Sequence, residues 1–239
     1  MQKVSIVMAS YNGSLFIEQQ VKSIVCQMQP KDELIISDDG STDGTVNIIK
    51  SFSDDRIKLL NGPQKGVIKN FEFAIQHASG EIIVLSDQDD IWIMNRLQHI
   101  RNYFSTAENT AVYHSRFTNI DAKGNVTSLL STTFNTGIVK NVIKNQYIGA
   151  MMAFSAPLKE YILPFPDNIA MHDQWIGLVN EVLQGSIKVS DELEVLYRRH
   201  NQNLTGKNKR ISIGKKFSNR LFMIYYLLKK FIYIKRKNL

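Results

Sequence analysis

Short apolar segments alternate with amphipathic segments along the first 105 residues of this 239-residue chain. Apolar runs bounded by turn-forming residues predict strands, and apolar residues at helical spacing predict helices. The predicted strands are Val4–Met8, Glu33–Ser37, Ile57–Leu60 and Ile82–Leu85. The predicted helices are Ser14–Gln27, Asp43–Phe52, Val67–Ala78 and Ile91–Phe104. Because helices that alternate with strands make crossovers between parallel strands, the pattern predicts an α/β fold with a Rossmann-like, mostly parallel sheet flanked by helices.

The second half of the chain is less regular. Strands are predicted at Ala111–Phe117, Gly149–Phe154 and Glu194–Arg199, and a helix at Met171–Leu183. The polar stretch 125–145 is predicted to be a loop. No Pro-rich or Gly-rich linker separates the halves, so we predict one two-part domain over residues 1–206.

Positive charge is concentrated at the end of the chain. Residues 207–239 contain 11 Lys or Arg and no Asp or Glu, which leaves 18 basic and 22 acidic residues in 1–206. Five apolar residues of this tail share a helical face: Phe217, Leu221, Ile224, Leu228 and Phe231. A basic amphipathic helical tail over 207–239 suits an anionic membrane surface, contacted through residues 211–237. The alternative is a helix packed on the body, and the absence of other basic clusters disfavours nucleic acid.

The single cysteine, Cys26, excludes an intramolecular disulfide framework and favours a reducing compartment. Its place in an apolar helical pattern predicts a buried, inert thiol. No signal peptide precedes the first strand, and no uncharged run approaches the roughly 18–20 residues of a spanning helix. These features predict a cytoplasmic protein.

Three carboxylates follow the fourth predicted strand, at Asp87, Asp89 and Asp90. Open α/β sheets bind ligands at the carboxyl ends of their strands. Crowded carboxylates repel one another, and hard oxygen ligands suit Mg2+ or Mn2+ together with a substrate phosphate. The segment therefore predicts a metal–diphosphate site, and the alternative is an acidic turn that caps the next helix.

Polar residues also follow the first two strands. Asp38 and Asp39 can hydrogen-bond a ribose or a pyrimidine N–H, although a solvated turn with a helix cap explains them too. Ser10 and Tyr11 follow the first strand, where a tyrosine can stack on a base. An ordinary turn between strand and helix is the alternative there.

Two later segments carry titratable groups. Asp173 lies near the start of a predicted helix, where it can act as a general base if partly desolvated, or simply cap the helix. Trp175 can form a platform for a sugar or belong to the core. His200 can bind a metal and Arg199 a phosphate, and a structural role is the alternative for the histidine.

In their order and spacing these segments resemble family 2 inverting glycosyltransferases with the GT-A fold. The segments that carry the resemblance are residues 4–13, 38–43, 66–70, 79–81, 87–92, 149–154, 172–175 and 197–200. The sequence Asp-Gln-Asp-Asp-Ile-Trp at residues 87–92 is similar to the corresponding segment of a subgroup that includes bacterial rhamnosyltransferases. One departure is His172, which stands where the family often has Glu.

The resemblance implies a role for each matching residue. Asp173 corresponds to the catalytic base, Asp89 and His200 to the ligands of Mn2+ or Mg2+, and Gln174 and Trp175 to acceptor contacts. The implied nucleotide and donor contacts are Ser10, Tyr11, Asp38, Asp39, Lys69, Asn70, Asp87 and Arg199. Residues 1–105 are then the nucleotide-binding half and residues 106–206 the acceptor half.

The implied activity is transfer of a sugar from a nucleoside-diphosphate sugar, with dTDP-rhamnose or a UDP-hexose favoured, in bacterial surface polysaccharide synthesis. The acceptor is expected to be a hydroxyl of a glycan or a lipid-linked sugar, and the enzyme a peripheral protein on the inner face of the plasma membrane. Two alternatives remain. The first is a nucleotidyltransferase, which normally has a glycine- and arginine-rich phosphate loop near its first strand, and this chain lacks one there. The second is a non-catalytic sugar-nucleotide or glycan-binding module, and the presence of Asp89 and Asp173 argues against it.

Overall fold

A computed structural model describes residues 2–107, 109–128, 134–201, 203 and 212–237. Eight strands form one sheet in the order β3-β2-β1-β4-β7-β6-β8-β5. The strands are β1 Val4–Ser10, β2 Glu33–Asp38, β3 Ile57–Asn61, β4 Ile82–Ser86, β5 Ile91–Trp92, β6 Ala111–Ile120, β7 Met152–Ser155 and β8 Ser186–Arg198. The helices are α1 Ile17–Val25, α2 Thr45–Ser51, α3 Val67–His77, α4 Arg96–Phe104, α5 Ile138–Ile143, α6 Leu158–Ile162, α7 His172–Val182 and α8 Ile213–Lys237.

The predicted α/β sheet is confirmed. Strands β1, β2, β3 and β4 are all parallel, so their carboxyl ends meet at one edge of the sheet. β7 is antiparallel to β4 and to β6, while β6 and β8 are parallel. The antiparallel strand in the middle joins the regular first half to the second half in one continuous sheet.

Alternate residues of the strands pack on opposite faces of the sheet, as the pleat requires. Ile6 and Met8 of β1 belong to a core that α1 and α4 cover, whereas Val7 packs with Phe71 of α3 and with α7. Burial on both faces explains why β1, β2 and β4 are mostly apolar, whereas the edge strand β3 is only partly buried.

Four predictions of secondary structure were wrong. The stretch 125–145, predicted to be a loop, contains helix α5 at Ile138–Ile143. The segment predicted as a helix from Ile91 begins as β5, which pairs antiparallel with Val195 and Leu196, and α4 starts only after Asn95 at φ 73°. The predicted strand over 149–154 begins as a 3₁₀-helix at Gly149–Met151. The last strand begins at Ser186, because it pairs along nearly the whole of β6.

The thiol of Cys26 is exposed, contrary to prediction. Helix α1 ends at Val25, and its buried residues are Ile17, Gln20, Val21 and Ile24. Position 26 lies on the other side of the helix from that stripe, so an apolar residue there gains no burial.

The tail forms helix α8, which packs on the body through Met223, Leu227 and Ile234. Its exposed large apolar side chains are Phe217, Leu221, Phe222, Ile224, Tyr225, Leu228, Phe231, Ile232 and Tyr233. Within the described ranges, no helix is both long enough and apolar enough to cross a bilayer. The predicted boundary at 206/207 and residue 211, where the membrane contact was predicted to begin, lie outside the described residues.

Candidate active site

The acidic loop after β4 gathers three carboxyl groups. Asp87, Asp89 and Asp90 each present an oxygen, and these oxygens lie within 4.8 Å of one another. Burial raises the pKa of Asp87 to about 7, with further contributions from the charges of Asp89 and Asp173. Among the described residues, Oδ2 of buried Asp90 has no hydrogen-bond partner. An all-oxygen donor set with mutual repulsion and an unsatisfied oxygen fits Mg2+ or Mn2+.

The segment after β8 contacts this loop directly. Nε2 of His200 lies 2.8 Å from Oδ2 of Asp89, and the Asn203 amide donates to the same oxygen at 3.2 Å. The ring of His200 also packs on Phe16 at 4.5 Å between centroids. The structure thus brings together the two predicted metal ligands, which are 111 residues apart in the sequence.

Arg198 supports the acidic loop, a role that the sequence analysis missed. Its Nε donates to the Asp89 carbonyl at 2.8 Å, and its backbone N–H donates to Oδ1 of Asp90 at 2.9 Å. Nη2 donates to Gln19, and Nη1 reaches two backbone carbonyls, those of Asp121 and Ala122. The sequence offered no local signal for this role, because buried and exposed residues do not alternate at the end of β8.

Gln88 joins the acidic loop to the loop after β1. Its side chain accepts from the Tyr11 N–H at 2.9 Å and donates to the Tyr11 carbonyl at 3.0 Å. A Cβ on Gly13 would lie 2.2 Å from Oε1 of Gln88, so a larger residue there would displace this amide from the Tyr11 backbone. The Tyr11 side chain is 56% exposed, which leaves its ring available for a ligand.

Asp38 and Asp39 form hydrogen bonds within the protein. Asp38 accepts from the Ser10 hydroxyl at 2.9 Å and from the Ser41 hydroxyl at 2.6 Å. Asp39 accepts from the backbone N–H groups of Gln64 and Gly66, at 2.7 and 2.8 Å. Both carboxylates therefore stabilise the loops that surround the ends of β1, β2 and β3.

The neighbours Lys69 and Asn70 point to different surroundings. The Asn70 amide donates to the carbonyls of Ser37 and Ser10, so it holds the ends of β2 and β1 together. Lys69 pairs with Glu72 at 2.8 Å and Asp167 at 3.1 Å, on the outer side of α3. Lys69 is thus directed away from the Ser10–Ser37 region.

Asp173 is fully enclosed at the start of α7. Its carboxylate accepts from the N–H groups of Gln174 and Gly149, at 2.6 and 3.0 Å, and from the Asn145 amide at 3.1 Å. Burial raises the pKa of Asp173 to about 6, and these hydrogen bonds oppose the rise. Since its charge contributes to the raised pKa of Asp87, the two carboxyl groups share one electrostatic environment.

The other predicted contacts lie further from this centre. Trp175 is 1% exposed, and its Nε1 donates to the Ile162 carbonyl at 2.9 Å, so the side chain belongs to the core. Gln174 is buried and donates to the Asn141 carbonyl at 2.7 Å. The exposed Arg199 guanidinium lies 5.5 Å from the Tyr197 ring centroid. None of the three contacts the acidic loop through a hydrogen bond between described residues.

His172, which precedes the candidate base, is buried against Phe71 with 4.2 Å between ring centroids. Neither ring nitrogen has a hydrogen-bond partner among the described residues. Burial lowers the pKa of His172 to about 3, so its ring is neutral. A neutral ring avoids placing a second charge beside Asp173.

A family model described as Glycosyl transferase family 2 matches residues 5–161. The chain belongs to this family. The match covers β1 to β4 and the acidic loop, which confirms the resemblance drawn from the sequence. It ends before α7, so the model does not reach Asp173 or His200.

Known members of the family align with different parts of the chain. A β-1,3-glucosyltransferase of Escherichia coli named for UDP-Glc and α-D-GlcNAc-diphosphoundecaprenol, WfgD, is 43% identical over 96 residues. That match covers 40% of this chain and 38% of the relative, so the chain spans well under half of this relative's length. The dTDP-rhamnosyl transferase RfbG of Shigella flexneri is 29% identical over 218 residues, covering 84% of this chain and 74% of RfbG.

Comparison with solved structures supports the fold. Residues 1-349 of S. aureus TarS in complex with UDP superpose with a TM-score of 0.72 at 18% identity. The superposition covers 94% of this chain and 65% of the TarS chain. At this identity the likeness establishes the fold alone, which is the GT-A-like sheet described above.

Proposed function

We propose that this protein is an inverting glycosyltransferase that moves a sugar from a nucleoside-diphosphate sugar to an acceptor hydroxyl. The observation that carries the proposal is the buried Asp173 carboxyl at the start of α7, whose charge contributes to the raised pKa of Asp87 in the acidic loop. A carboxyl group with a pKa near 6 is well suited to general base catalysis near neutral pH. Family membership supplies the reaction class.

Each residue of the site has a task in this reaction. Asp173 takes the proton from the acceptor hydroxyl, whose oxygen forms a bond to the anomeric carbon. The bond from that carbon to the diphosphate oxygen breaks, and its electron pair leaves with the nucleoside diphosphate. Attack from the face opposite the leaving group inverts the anomeric configuration. Tyr11, with its exposed ring, is positioned to stack on the base.

Asp89 and His200 are the proposed metal ligands, and Asp87 lies on the donor side of the acidic loop. A bound Mn2+ or Mg2+ would supply positive charge to the leaving diphosphate. Arg198 fixes the backbone at Asp89, and Gln88 fixes the neighbouring loop, so the oxygen ligands are positioned before a donor binds.

The donor is proposed to be dTDP-rhamnose or a UDP-hexose. The names of two relatives support this choice, since one is a dTDP-rhamnosyl transferase and the other is named for UDP-Glc. The acceptor is proposed to be a lipid-linked or free glycan of bacterial surface polysaccharide synthesis. The first relative is named for an acceptor on diphosphoundecaprenol, which favours a lipid-linked sugar.

Helix α8 is proposed to hold the enzyme on the inner face of the plasma membrane. Its exposed apolar side chains are interspersed with lysines, and the anionic lipids of that leaflet attract such a surface. Leu221 and Phe231 are 51% and 45% exposed, so replacing both with serine removes apolar surface without opening the core. Binding of this variant to phosphatidylglycerol vesicles should fall, and unchanged binding would contradict the attachment.

Calorimetric titration with UDP and with dTDP, each with and without Mn2+, tests the proposed function. We expect metal-dependent binding of at least one nucleotide, and we expect Asp89→Ala to remove the metal dependence. Asp191→Ala is the matched control, because its carboxylate is 76% exposed on strand β8 and lies outside the acidic loop. No metal-dependent binding by the unmodified protein, or equal binding by both variants, would contradict the proposal.

A further inference from the structure

A cleft of about 500 Å³ lies between helix α8 and the body. Its walls come from α3, from the loop between α6 and α7, and from the last turns of α8. The lining residues are Lys69, Pro164, Phe165, Pro166, Asp167, Trp175, Tyr226, Lys229, Lys230 and Tyr233. The acidic loop contributes nothing to this cleft, so the cleft is a feature separate from the candidate active site.

The cleft combines cations with an apolar wall. Lys230 is half-buried, and its ammonium group lies 5.3 Å from the centroid of the Tyr233 ring. Within the described residues Lys230 makes no ion pair, and the carboxylate that acts on it electrostatically is Glu160. Burial lowers the pKa of Lys230, because desolvation is unfavourable for its ammonium group, and the charge of Glu160 opposes this effect. An anionic ligand would remove that cost.

The remaining surface of the cleft is mainly aromatic, with Pro164, Pro166 and the Asp167 carboxylate, which pairs with Lys69 at 3.1 Å. Phe165 and Trp175 form its buried part, and Tyr226 and Tyr233 come from α8. The polar atom of Trp175 is already satisfied by the Ile162 carbonyl, so its ring offers apolar contact only. A ligand that fits this surface has an anionic head and an apolar chain.

Helices α3 and α7 each contribute residues to the cleft and, from another face, to the surroundings of the candidate active site. Lys69 lines the cleft, while the next residue, Asn70, holds the ends of β1 and β2. Trp175 lies two positions after Asp173 in the first turn of α7. The exposed apolar side of α8, which is proposed to face the membrane, lies on the same helix as Lys229 and Lys230.

We propose that this cleft holds the diphosphate and the first isoprenoid unit of a lipid-linked acceptor. The inference rests on the proposed function, because it assigns a place to that function's acceptor. Lys229 and Lys230 bind the diphosphate, and the tyrosines of α8, Tyr226 and Tyr233, contact the isoprenoid chain. The lipid then runs along α8 toward the bilayer while its sugar extends toward Asp173.

Binding of farnesyl diphosphate to the full chain, measured by titration calorimetry, tests the inference. Lys229→Gln/Lys230→Gln should weaken binding by at least about tenfold, since it removes two charge-assisted contacts. Lys215→Gln/Lys235→Gln is the matched control, because it removes the same charge from exposed positions of α8 outside the cleft. Thermal melting checks that both variants are folded.

Several outcomes would overturn the inference. Farnesyl diphosphate that fails to bind, or that binds both variants equally, shows that the cleft is not the site. Pyrophosphate that binds as tightly as farnesyl diphosphate shows a simple anion site. If Lys229→Gln/Lys230→Gln loses binding to phosphatidylglycerol vesicles but binds farnesyl diphosphate as before, these lysines contact the bilayer and not the diphosphate. UDP binding with Mn2+ is measured separately, so failure of this inference is distinguishable from failure of the proposed function.

Discussion

The pH dependence of transfer follows from the surroundings of Asp173. Burial raises the pKa of this carboxyl to about 6, against the hydrogen bonds that it accepts from Gln174, Gly149 and Asn145. A general base must be ionised to accept a proton. We therefore expect kcat/KM to fall about tenfold for each pH unit below pH 6 and to level off above it.

The same shift predicts a change in stability. A rise from 3.8 to about 6 corresponds to roughly 3 kcal/mol at about 1.36 kcal/mol per pKa unit. Because the folded state binds this proton more tightly than the unfolded state, the stabilising contribution is complete below pH 3.8 and is lost as the pH rises through 6. Asp173→Asn does not ionise, so its free energy of unfolding lacks this pH-dependent loss.

Two measurements on the protein and on Asp173→Asn check this reasoning. The first is kcat/KM with saturating Mn2+ from about pH 5 to about pH 8, where the variant should lose transfer by at least about 10²-fold and still bind nucleotide. The second is urea unfolding of both proteins at each end of this pH range. Both carboxylate oxygens of Asp173 accept hydrogen bonds, so the N–H₂ group of an asparagine at this position would face an N–H donor. This unfavourable contact lowers the stability of the variant by the same amount at every pH, so it cancels when the pH dependence of the two proteins is compared.

The outcome that would refute the assignment is a variant with equal transfer activity. A rate profile without a change near pH 6, together with parallel stability profiles for the two proteins, would show that Asp173 keeps an ordinary pKa. A change in stability without a change in rate would make Asp173 a buried structural carboxyl rather than the base.

Three further predictions concern Arg198, the contact between Gly13 and Gln88, and Cys26. Arg198→Lys should destabilise the fold by about 3 kcal/mol in urea unfolding and weaken metal-dependent nucleotide binding, because lysine cannot reach Asp89 and the other acceptors together. Unchanged nucleotide binding by this variant would exclude a positioning role for Arg198. Gly13→Ala and Gln88→Ala should weaken nucleotide binding non-additively in a double-mutant cycle, since both act through the same two hydrogen bonds to the Tyr11 backbone, and additive losses would disprove that link. Cys26→Ser should change the free energy of unfolding by less than about 0.5 kcal/mol, because residue 26 is exposed. In the unmodified folded protein, the Cys26 thiol should react promptly with a thiol reagent, and a slow reaction would show that it is protected.

The regular half of the fold was predictable from sequence because its signals are local. Each first-half strand is a short apolar run bounded by turn residues, and burial on both sheet faces demands such runs. The strand ends then follow from the topology, which is why the acidic loop and the loops after β1 and β2 were expected at one edge. The metal candidates Asp89 and His200 came together as expected, although the resemblance rather than periodicity had named them.

The missed features depend on contacts between distant segments. β5 exists because Ile91 and Trp92 pair with residues more than 100 positions later, and the local pattern of that segment is helical. Arg198 looked like one of two adjacent basic residues, and only the direction of its side chain distinguishes it from the exposed Arg199. Trp175 could not be assigned to core or site until Ile162 was placed beside its ring nitrogen.

These long-range contacts mean that the two predicted halves cannot work separately. The nucleotide-binding half carries Asp87, Asp89 and the loops after β1 and β2. The groups that complete the site, His200, Arg198 and Asp173, come from the second half, and Arg198 reaches back 179 residues to Gln19. β7 lies between β4 and β6, so removing the second half would also expose the edge of β4. The proposed metal binding, donor binding and base catalysis therefore depend on one folding unit. We expect a fragment ending at residue 105 to bind neither nucleotide nor metal with the affinity of the full chain.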